Sequence, residues 1–390
     1  MSDSFVGIDI GTSKVSAVVG EFSEEGDLQI TGLGVSPSQG LRRGVVVNIE
    51  STLKSVYAAV TQAEQMSGRE VDSCVVGIAG AHIEGINSRG VVAVTGKGHE
   101  INQQDVNRVI EAARAVSIPM DREILHVIPQ EFIVDGQNGV RNPIDMIGVR
   151  LQAEVHIITG SVTSAQNLVK CVNRAGYKVD QIVLEALAGS RAVLSADEME
   201  LGALVIDFGG GTTDIMVHMG GAPYFSSVIP LGGMQVTADL SIVLKTPFET
   251  AEEIKRNHGR AHPSVVEETE PVIVPGVGGR GPRTVSQQEI CDIVHPRVAE
   301  VFGIVQEKLD KKGFQVKDLA GGVVITGGGA LLPGIVETAQ DVFGTAARIG
   351  FPGNLGGIGQ DYQSSEFSTA VGLLLFAAAS ARVDTRTRPS

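Results

Sequence analysis

Two aspartates, Asp9 and Asp207, each stand two residues ahead of a glycine, and each opens a turn of small hydroxyl residues between apolar stretches. The first reads Val6-Gly7-Ile8-Asp9-Ile10-Gly11-Thr12-Ser13-Lys14 and runs on into Val15-Ser16-Ala17-Val18-Val19. The second reads Leu204-Val205-Ile206-Asp207-Phe208-Gly209-Gly210-Gly211-Thr212-Thr213-Asp214 and runs on into Ile215-Met216-Val217. Glycine lets backbone N–H groups come close to an anion, and Thr or Ser hydroxyls add further donors. An aspartate just before such a turn suits a hydrated Mg2+, which takes one or two carboxylates and keeps several waters. Two hairpins with the same internal order point to duplicated lobes that grip the phosphates of one Mg-nucleotide from both sides.

The elements that must hold these groups alternate between strand and helix, which is the pattern of an α/β class. Residues 5–20 read as a hairpin, and 28–35 and 44–48 as further strands. Ser51 to Ser67 reads as a helix, with Leu53, Val56, Val60, Ala63 and Met66 at three- and four-residue spacing and Gly68 as its stop. Ser73 to Ala79 is a buried strand. An inserted patch follows, from about 82 to 160, with a helix over Gln103–Ser117 ending against Pro119 and strands at 124–134 and 147–159. A helix from Thr163 to Arg174, closed by Gly176, returns to the main lobe. Beyond the second hairpin come a charged helix, Glu249–Asn257, and a long helix opened by a Ser286/Glu289 capping box and running to about Lys312. Pro296 should kink that helix or split it in two. Gly313 closes it, Val323–Thr326 forms a strand ending in Gly327-Gly328-Gly329, and a small-residue helix spans Phe367–Ala381. Residues 382–390 make a polar tail.

Composition narrows the function. The 390 residues carry 31 basic against 45 acidic side chains, a net charge of −14, which argues against a nucleic-acid-binding face. The three cysteines, Cys74, Cys171 and Cys291, are odd in number and far apart, so they form neither a disulfide framework nor a metal spacing, and a reducing cytosol fits them. No signal peptide opens the chain, and the late apolar run Val371–Ala379 is far short of the ~20 residues that span a bilayer. His126, His156 and His218 sit in apolar strands and read as structural. The glycines of Gly276–Gly281 are flanked by prolines and open no helix, so they read as a surface loop rather than a dinucleotide fingerprint.

Asp9-x-Gly11-Thr12, the Asp207–Asp214 hairpin and Ile325-Thr326-Gly327-Gly328-Gly329-Ala330 stand in the order of the two phosphate loops and the adenosine loop of the actin-like ATPase superfamily. Within it the chain resembles the FtsA family of bacterial cell division. That resemblance rests on stretches outside the shared loops: Asp121-Arg122-Glu123-Ile124-Leu125-His126-Val127-Ile128-Pro129-Gln130, Gln166-Asn167-Leu168-Val169-Lys170-Cys171-Val172-Asn173-Arg174-Ala175-Gly176, Leu231-Gly232-Gly233 and Ala251-Glu252-Glu253-Ile254-Lys255. It covers roughly residues 4 to 380. It implies an actin-like, ribonuclease H-like two-lobed fold. The lobes would be 1–81 with 161–198 (1A) and 199–229 with 301–381 (2A), joined by an inserted subdomain at 82–160 (1C) and a small subdomain at 230–300 (2B).

The resemblance also implies roles. Asp9 and Asp207 would hold Mg2+ through water. Gly11, Thr12, Ser13 and Lys14 would meet the β- and γ-phosphates of ATP from one side, and Gly209, Gly210, Gly211, Thr212 and Thr213 from the other. Gly327, Gly328, Gly329 and Ala330 would pass flat against the adenosine, with Glu252 and Lys255 at ribose and base. Glu185 stands where relatives keep a residue that orients the attacking water. Ala186 replaces the proline that follows it there, so hydrolysis is expected to be slow at most. Expected partners are further copies of the chain in a filament, later divisome membrane proteins, and the C-terminal tail of the tubulin-like division protein FtsZ. Arg297, in His295-Pro296-Arg297, is the candidate for meeting that acidic tail, since a guanidinium grips a carboxylate in a fork. Family members sit at the cytoplasmic face of the inner membrane through an amphipathic C-terminal helix, but residues 382–390 present no apolar face for that purpose. Two other functions use the same fold: a pilus-assembly type of ATP-binding scaffold, and a small-molecule kinase, for which no acceptor motif is visible.

Overall fold

The computed structural model describes residues 4–268, 270–358 and 361–387, the last six as backbone. In chain order, β1 (Phe5–Ile10), β2 (Lys14–Phe22) and β3 (Leu28–Pro37) form a meander. A small hairpin of β4 (Leu41–Arg42) and β5 (Val45–Val46) leads to α1 (Ile49–Ser67) and β6 (Ser73–Ile78). The next stretch carries β7 (Glu84–Ala93), α2 (Gln103–Arg114), β8 (Arg122–Val134), β9 (Gln137–Val140) and β10 (Arg150–Ser161). Then α3 (Val162–Arg174), β11 (Lys178–Leu184), α4 (Glu185–Val193) and α5 (Ala196–Leu201) reach a second meander, β12 (Ala203–Phe208), β13 (Thr213–Met219) and β14 (Ala222–Ile229). After it come α6 (Gly233–Leu244), α7 (Phe248–His258), the hairpin β15 (Val272–Val274) and β16 (Arg283–Val285), and α8 (Gln287–Asp310). β17 (Val323–Thr326), α9 (Ile335–Phe343), β18 (Ala347–Ile349) and α10 (Ser368–Thr387) complete it.

The two meanders build sheets of one topology. The first sheet has the order β11-β6-β1-β2-β3, and the second contains β18-β17-β12-β13-β14. In each, the first meander strand runs antiparallel to the second and parallel to the strand on its other side. The second sheet continues beyond β14 through β7, β10, β8 and β9. One residue pair, Ser227 with Glu84, registers β14 on β7. Side chains complete the join: buried His156 bonds Asn87 at 2.6 Å and Ser226 at 2.9 Å, while Asn87 and Gln130 donate to the Tyr224 and Pro223 carbonyls, each at 3.0 Å.

Local sequence accounts for the helices that back these sheets. The Asn48 side chain accepts the Ser51 N–H, Gly68 closes α1 in the left-handed region at φ 69°, and Val56, Ala59, Val60 and Ala63 form its buried face. The Ser286/Glu289 box opens α8. A seam of small residues lets α10 lie close against α4 and β1. A Cβ on Gly372 would lie 1.9 Å from the Ala188 carbonyl oxygen, so the two backbones touch directly.

Four expectations need correction. Pro296 does not split α8, which runs unbroken for 24 residues. Pro296 and Asp292, whose carbonyl loses its partner, are both exposed, so water can satisfy that oxygen. The helix of the inserted patch ends at Arg114 rather than near Ser117. The strand at 44–48 shrinks to the two residues of β5. The helix drawn to Ala381 continues to Thr387, since no glycine or proline intervenes before Pro389, and 388–390 lie outside the described residues.

Candidate functional site

The two aspartate hairpins close identically. The Gly11 N–H donates to the Lys14 carbonyl and the Gly209 N–H to the Thr212 carbonyl, both at 3.0 Å. Asp9 lies opposite Ser16 in one ladder, and Asp207 opposite Asp214 in the other. The tips of the turns meet. A Cβ on Gly210 would lie 1.9 Å from Ser13 Oγ, and one on Gly211 2.5 Å from Thr12 Oγ1, so bare backbone of the second turn rests on the hydroxyls of the first. The amino end of α6 buttresses the second turn, with the Gly233 and Met234 N–H groups donating to the Gly209 and Gly210 carbonyls at 2.9 and 2.8 Å. The Thr213 hydroxyl donates to the Leu231 carbonyl at 2.8 Å, and Thr12 Oγ1 accepts the Gly44 N–H at 3.2 Å.

Acid groups crowd this junction. Asp9 and Asp214 are buried, and Asp207 and Glu185 half-buried. Burial, and then the charge of Asp207, push the Asp9 carboxyl up to about 7 against the pull of Lys14. Burial also raises Glu185 and Asp214 well above the usual carboxylate range, with the neighbouring carboxylates adding to it. Asp207 is raised by burial too, but the Thr369 hydroxyl, donating at 2.8 Å, and Lys14 hold it back. Both residues facing the paired aspartates across the ladders, Ser16 through Oγ and Asp214 through Oδ1, have a buried oxygen with no hydrogen-bond partner. Lys14 is the cation among them, and it is shared: its Nζ lies 2.7 Å from Glu366 Oε2 and 4.0 Å from the centre of the Phe367 ring. Hard oxygen donors in excess of positive charge, some of them unsatisfied, fit a hydrated dication.

Of the triple glycine, Gly327 sits at φ 83° and a Cβ there would come 2.2 Å from Asp207 Oδ1. Gly329 would strike the Phe208 ring at 2.3 Å, while Gly328 has nothing within 4 Å. Two of the glycines therefore clear space for the second hairpin and one leaves backbone open. Ala330 is buried behind them. Glu252 and Lys255 pair at 2.7 Å on α7, and Lys255 also donates to the Gly233 carbonyl at 3.1 Å and the Thr237 hydroxyl at 2.9 Å, which ties α7 to the second turn through α6.

Glu185 begins α4 beneath the junction, at the wall of a crevice of about 10 Å3, one water in size, that Ile10, Gly77, Ile78, His82 and Ser164 also line. The Leu184 N–H just before it donates to His126 Nε2 at 3.0 Å, so a strand of the inserted patch pins the start of α4. Arg297 stands apart on α8. It forks onto Asp239 at 2.6 and 3.1 Å and also pairs with Glu300.

Three residues of this junction carry no role in the sequence reading: Asp214, Thr369 and Glu366. Asp214 was legible, because a seven-residue offset in a two-stranded turn returns the chain to the same face as Asp207. Thr369 and Glu366 had no such signal, since they arrive from the far end of the chain.

Residues 204–372 match the family described as cell division protein FtsA, and residues 80–159 match the SHS2 domain inserted in FtsA. The cell division protein FtsA of Borreliella burgdorferi is 51% identical over 372 residues, covering 95% of this chain and 90% of that protein. Among solved structures, the PilM–PilN type IV pilus biogenesis complex superposes with a TM-score of 0.68 at 17% identity, covering 96% of this chain and 98% of that one. MreB 5 of Spiroplasma citri bound to AMPPNP superposes with a TM-score of 0.59 at 14% identity, covering 99% of each chain. The fold is actin-like, with the SHS2 insert as its added part.

Proposed function

This chain belongs to the FtsA family of bacterial cell-division proteins, and on that premise we propose that it binds ATP with Mg2+ between its paired hairpins and assembles into filaments that tie the FtsZ ring to the membrane. The observation that carries the nucleotide part is the pairing of Asp9 and Asp207 at equivalent points of two identical turns, with more carboxylates around them than positive charge. The solved MreB 5 bound to AMPPNP shares the fold and so supports the same reading.

In this reading the two turns part to admit the phosphates, which then meet the Thr12 and Ser13 hydroxyls in place of the Gly210 and Gly211 backbone that rests on them. Lys14 brings a positive charge to the β- and γ-phosphates. Asp9 and Asp207 hold the ion's waters, and Mg2+ when bound supplies charge neutralisation for the phosphate oxygens. Glu185, beside a water-sized crevice, orients a water and accepts its proton, a task that a raised carboxyl pKa suits. Gly328 leaves backbone open for the adenosine, with Glu252 and Lys255 beyond it. Nucleotide contacts on both lobes bias the cleft between them, and through it the surfaces that meet in a filament.

FtsZ recognition belongs to the small subdomain carrying Arg297, and membrane attachment at the cytoplasmic face follows the family. The pilus-scaffold and kinase alternatives lose their ground with the family assignment. The test is a pair of titrations on one preparation. Calorimetric titration with ATP should show saturable binding that EDTA abolishes, and a labelled FtsZ tail peptide should bind saturably where a scrambled one does not. A folded sample that ignores ATP sinks the nucleotide reading, and one that ignores the tail peptide sinks the tether.

A further inference from the structure

The short segment that leads into α10 touches all three loops of the junction. Glu366 pairs with Lys14 of the first turn, Thr369 donates to Asp207 of the second, and Ser365 accepts the Gly327 N–H at 3.1 Å while its hydroxyl donates back to the Gly327 carbonyl at 3.0 Å. Among these interactions the one at Lys14 is chemically out of place. A lysine at a phosphate turn serves by offering its charge to an anion, and here a carboxylate of the same chain already takes it at 2.7 Å, with the Phe367 ring under the ammonium at 4.0 Å. The other anions near Lys14, Asp9 and Asp207, attract it as well, so Glu366 adds a third negative group to a place already short of positive charge. Behind it the two turns rest on each other through Ser13 and Gly210.

We propose that Glu366 is a built-in competitor for the phosphates: it occupies Lys14 when the nucleotide is absent and must be displaced before the γ-phosphate can take its place. Displacement moves the first turn of α10, so site occupancy is read out at the helix that ends the described chain. This inference rests on the nucleotide reading above.

The test compares mant-ATP and unlabelled AMP binding, each with Mg2+, for the full chain and for Glu366→Gln, which keeps the shape and removes the charge. The variant should bind mant-ATP about tenfold more tightly, the scale of the single charge-assisted hydrogen bond that ATP then no longer has to break. It should bind AMP equally well, because AMP has no phosphate that reaches Lys14. Glu366→Asp, whose shorter arm weakens the pair, should fall between. Thermal melts in EDTA establish that each variant is folded. Equal mant-ATP affinity in all three proteins overturns the latch and leaves the nucleotide reading intact. An equal gain for AMP and mant-ATP also overturns it, since the effect would then be structural. If neither nucleotide binds any of the proteins, the nucleotide reading falls and the latch falls with it.

Discussion

Asp9 and Asp207 occupy the same position in two copies of one hairpin, and each faces, directly across its ladder, a residue with an orphaned buried oxygen: Ser16 for the first, Asp214 for the second. Neighbouring side chains on one sheet face are close enough to share an ion or repel one another. With no dication to divide, the acids of this junction destabilise the fold that carries them. Asp9→Asn should therefore raise the melting temperature in EDTA, by about 1 °C for each kcal/mol of repulsion removed from a chain of 390 residues. The same variant should lose most of its Mg-dependent ATP affinity. Calorimetry in EDTA and titration in Mg2+ check the two signs independently, and a fall in both would refute the account.

Gly327 and Gly328 are adjacent but differ in what a methyl group would meet. Gly327→Ala adds it at a left-handed φ and against Asp207, so a loss of about 1–3 kcal/mol is expected. Gly328→Ala adds it in open space and should stay within about 0.5 kcal/mol. Urea midpoints of the two variants make the comparison. The second should weaken ATP binding despite its normal stability, because the proposed adenosine surface lies there.

Glu185→Gln should leave ATP affinity within about twofold and lower any hydrolysis by about 100-fold, the low end for loss of a positioned proton acceptor. Single-turnover phosphate release checks it. If release is unchanged, the water is oriented elsewhere, and Asp214 becomes the next residue to change.

Two buried histidines should give the fold an acid-labile contribution, opposed by the raised carboxyls of the junction, whose protonation over the same range favours the folded state. His156 and His218 are buried, and burial holds each pKa at about 4, against 6.5 for a free imidazole. The folded value is the lower one, so unfolded chains bind more protons between the two. The contribution of these histidines is complete above pH 6.5 and is lost as pH falls toward 4, on the order of 3 kcal/mol each. Urea unfolding of the chain and of His218→Gln across that window isolates the histidine's contribution: on acidification the variant should lose less stability, or gain more, than the parent.

Arg297 already spends its guanidinium on Asp239 and Glu300. An acidic tail that docks there must outbid Asp239, so Asp239→Asn should tighten binding of the FtsZ tail peptide several-fold, while Arg297→Glu should weaken it at least about tenfold. Anisotropy titrations at two salt concentrations check this. A tail that binds both variants equally well docks elsewhere.

Local signals carried much of this fold. The hairpins, the Gly68 stop and the Ser286/Glu289 box all depend on residues within a few positions of each other, and all stand in the structure. α6 went unread because Val236, Thr237, Ile242 and Val243 are β-branched and its opening residue is a glycine; the helix forms because Gln235 closes onto the Gly232 N–H at 2.7 Å and α7 and α8 pack on it. A strand ahead of the inserted helix fits the patch's strand–helix–strand pattern, but the bounds of β7 are not legible, because Glu84-Gly85-Ile86-Asn87-Ser88 looks like a loop until β10 offers a ten-residue ladder. The Glu366 and Thr369 interactions join residues 352 and 162 positions apart, and no spacing rule reaches that far.

The join between β7 and β14 sets an order of events during synthesis. The inserted strands leave the ribosome well before β14 exists, so the β7 edge must wait, unpaired, while the next lobe is made. An open edge is a template for the wrong neighbour, including the same edge on another nascent chain. Glu84, Arg89 and the glycines at 85 and 90 make β7 a poor template in the interval. Once β14 arrives, Asn87, Gln130 and His156 recognise it by side-chain bonds as well as by backbone. The assembled molecule thus joins one of its own sheet edges late, at the Glu84 end, and a chaperone that shields this strand until β14 emerges would have most to contribute at that stage.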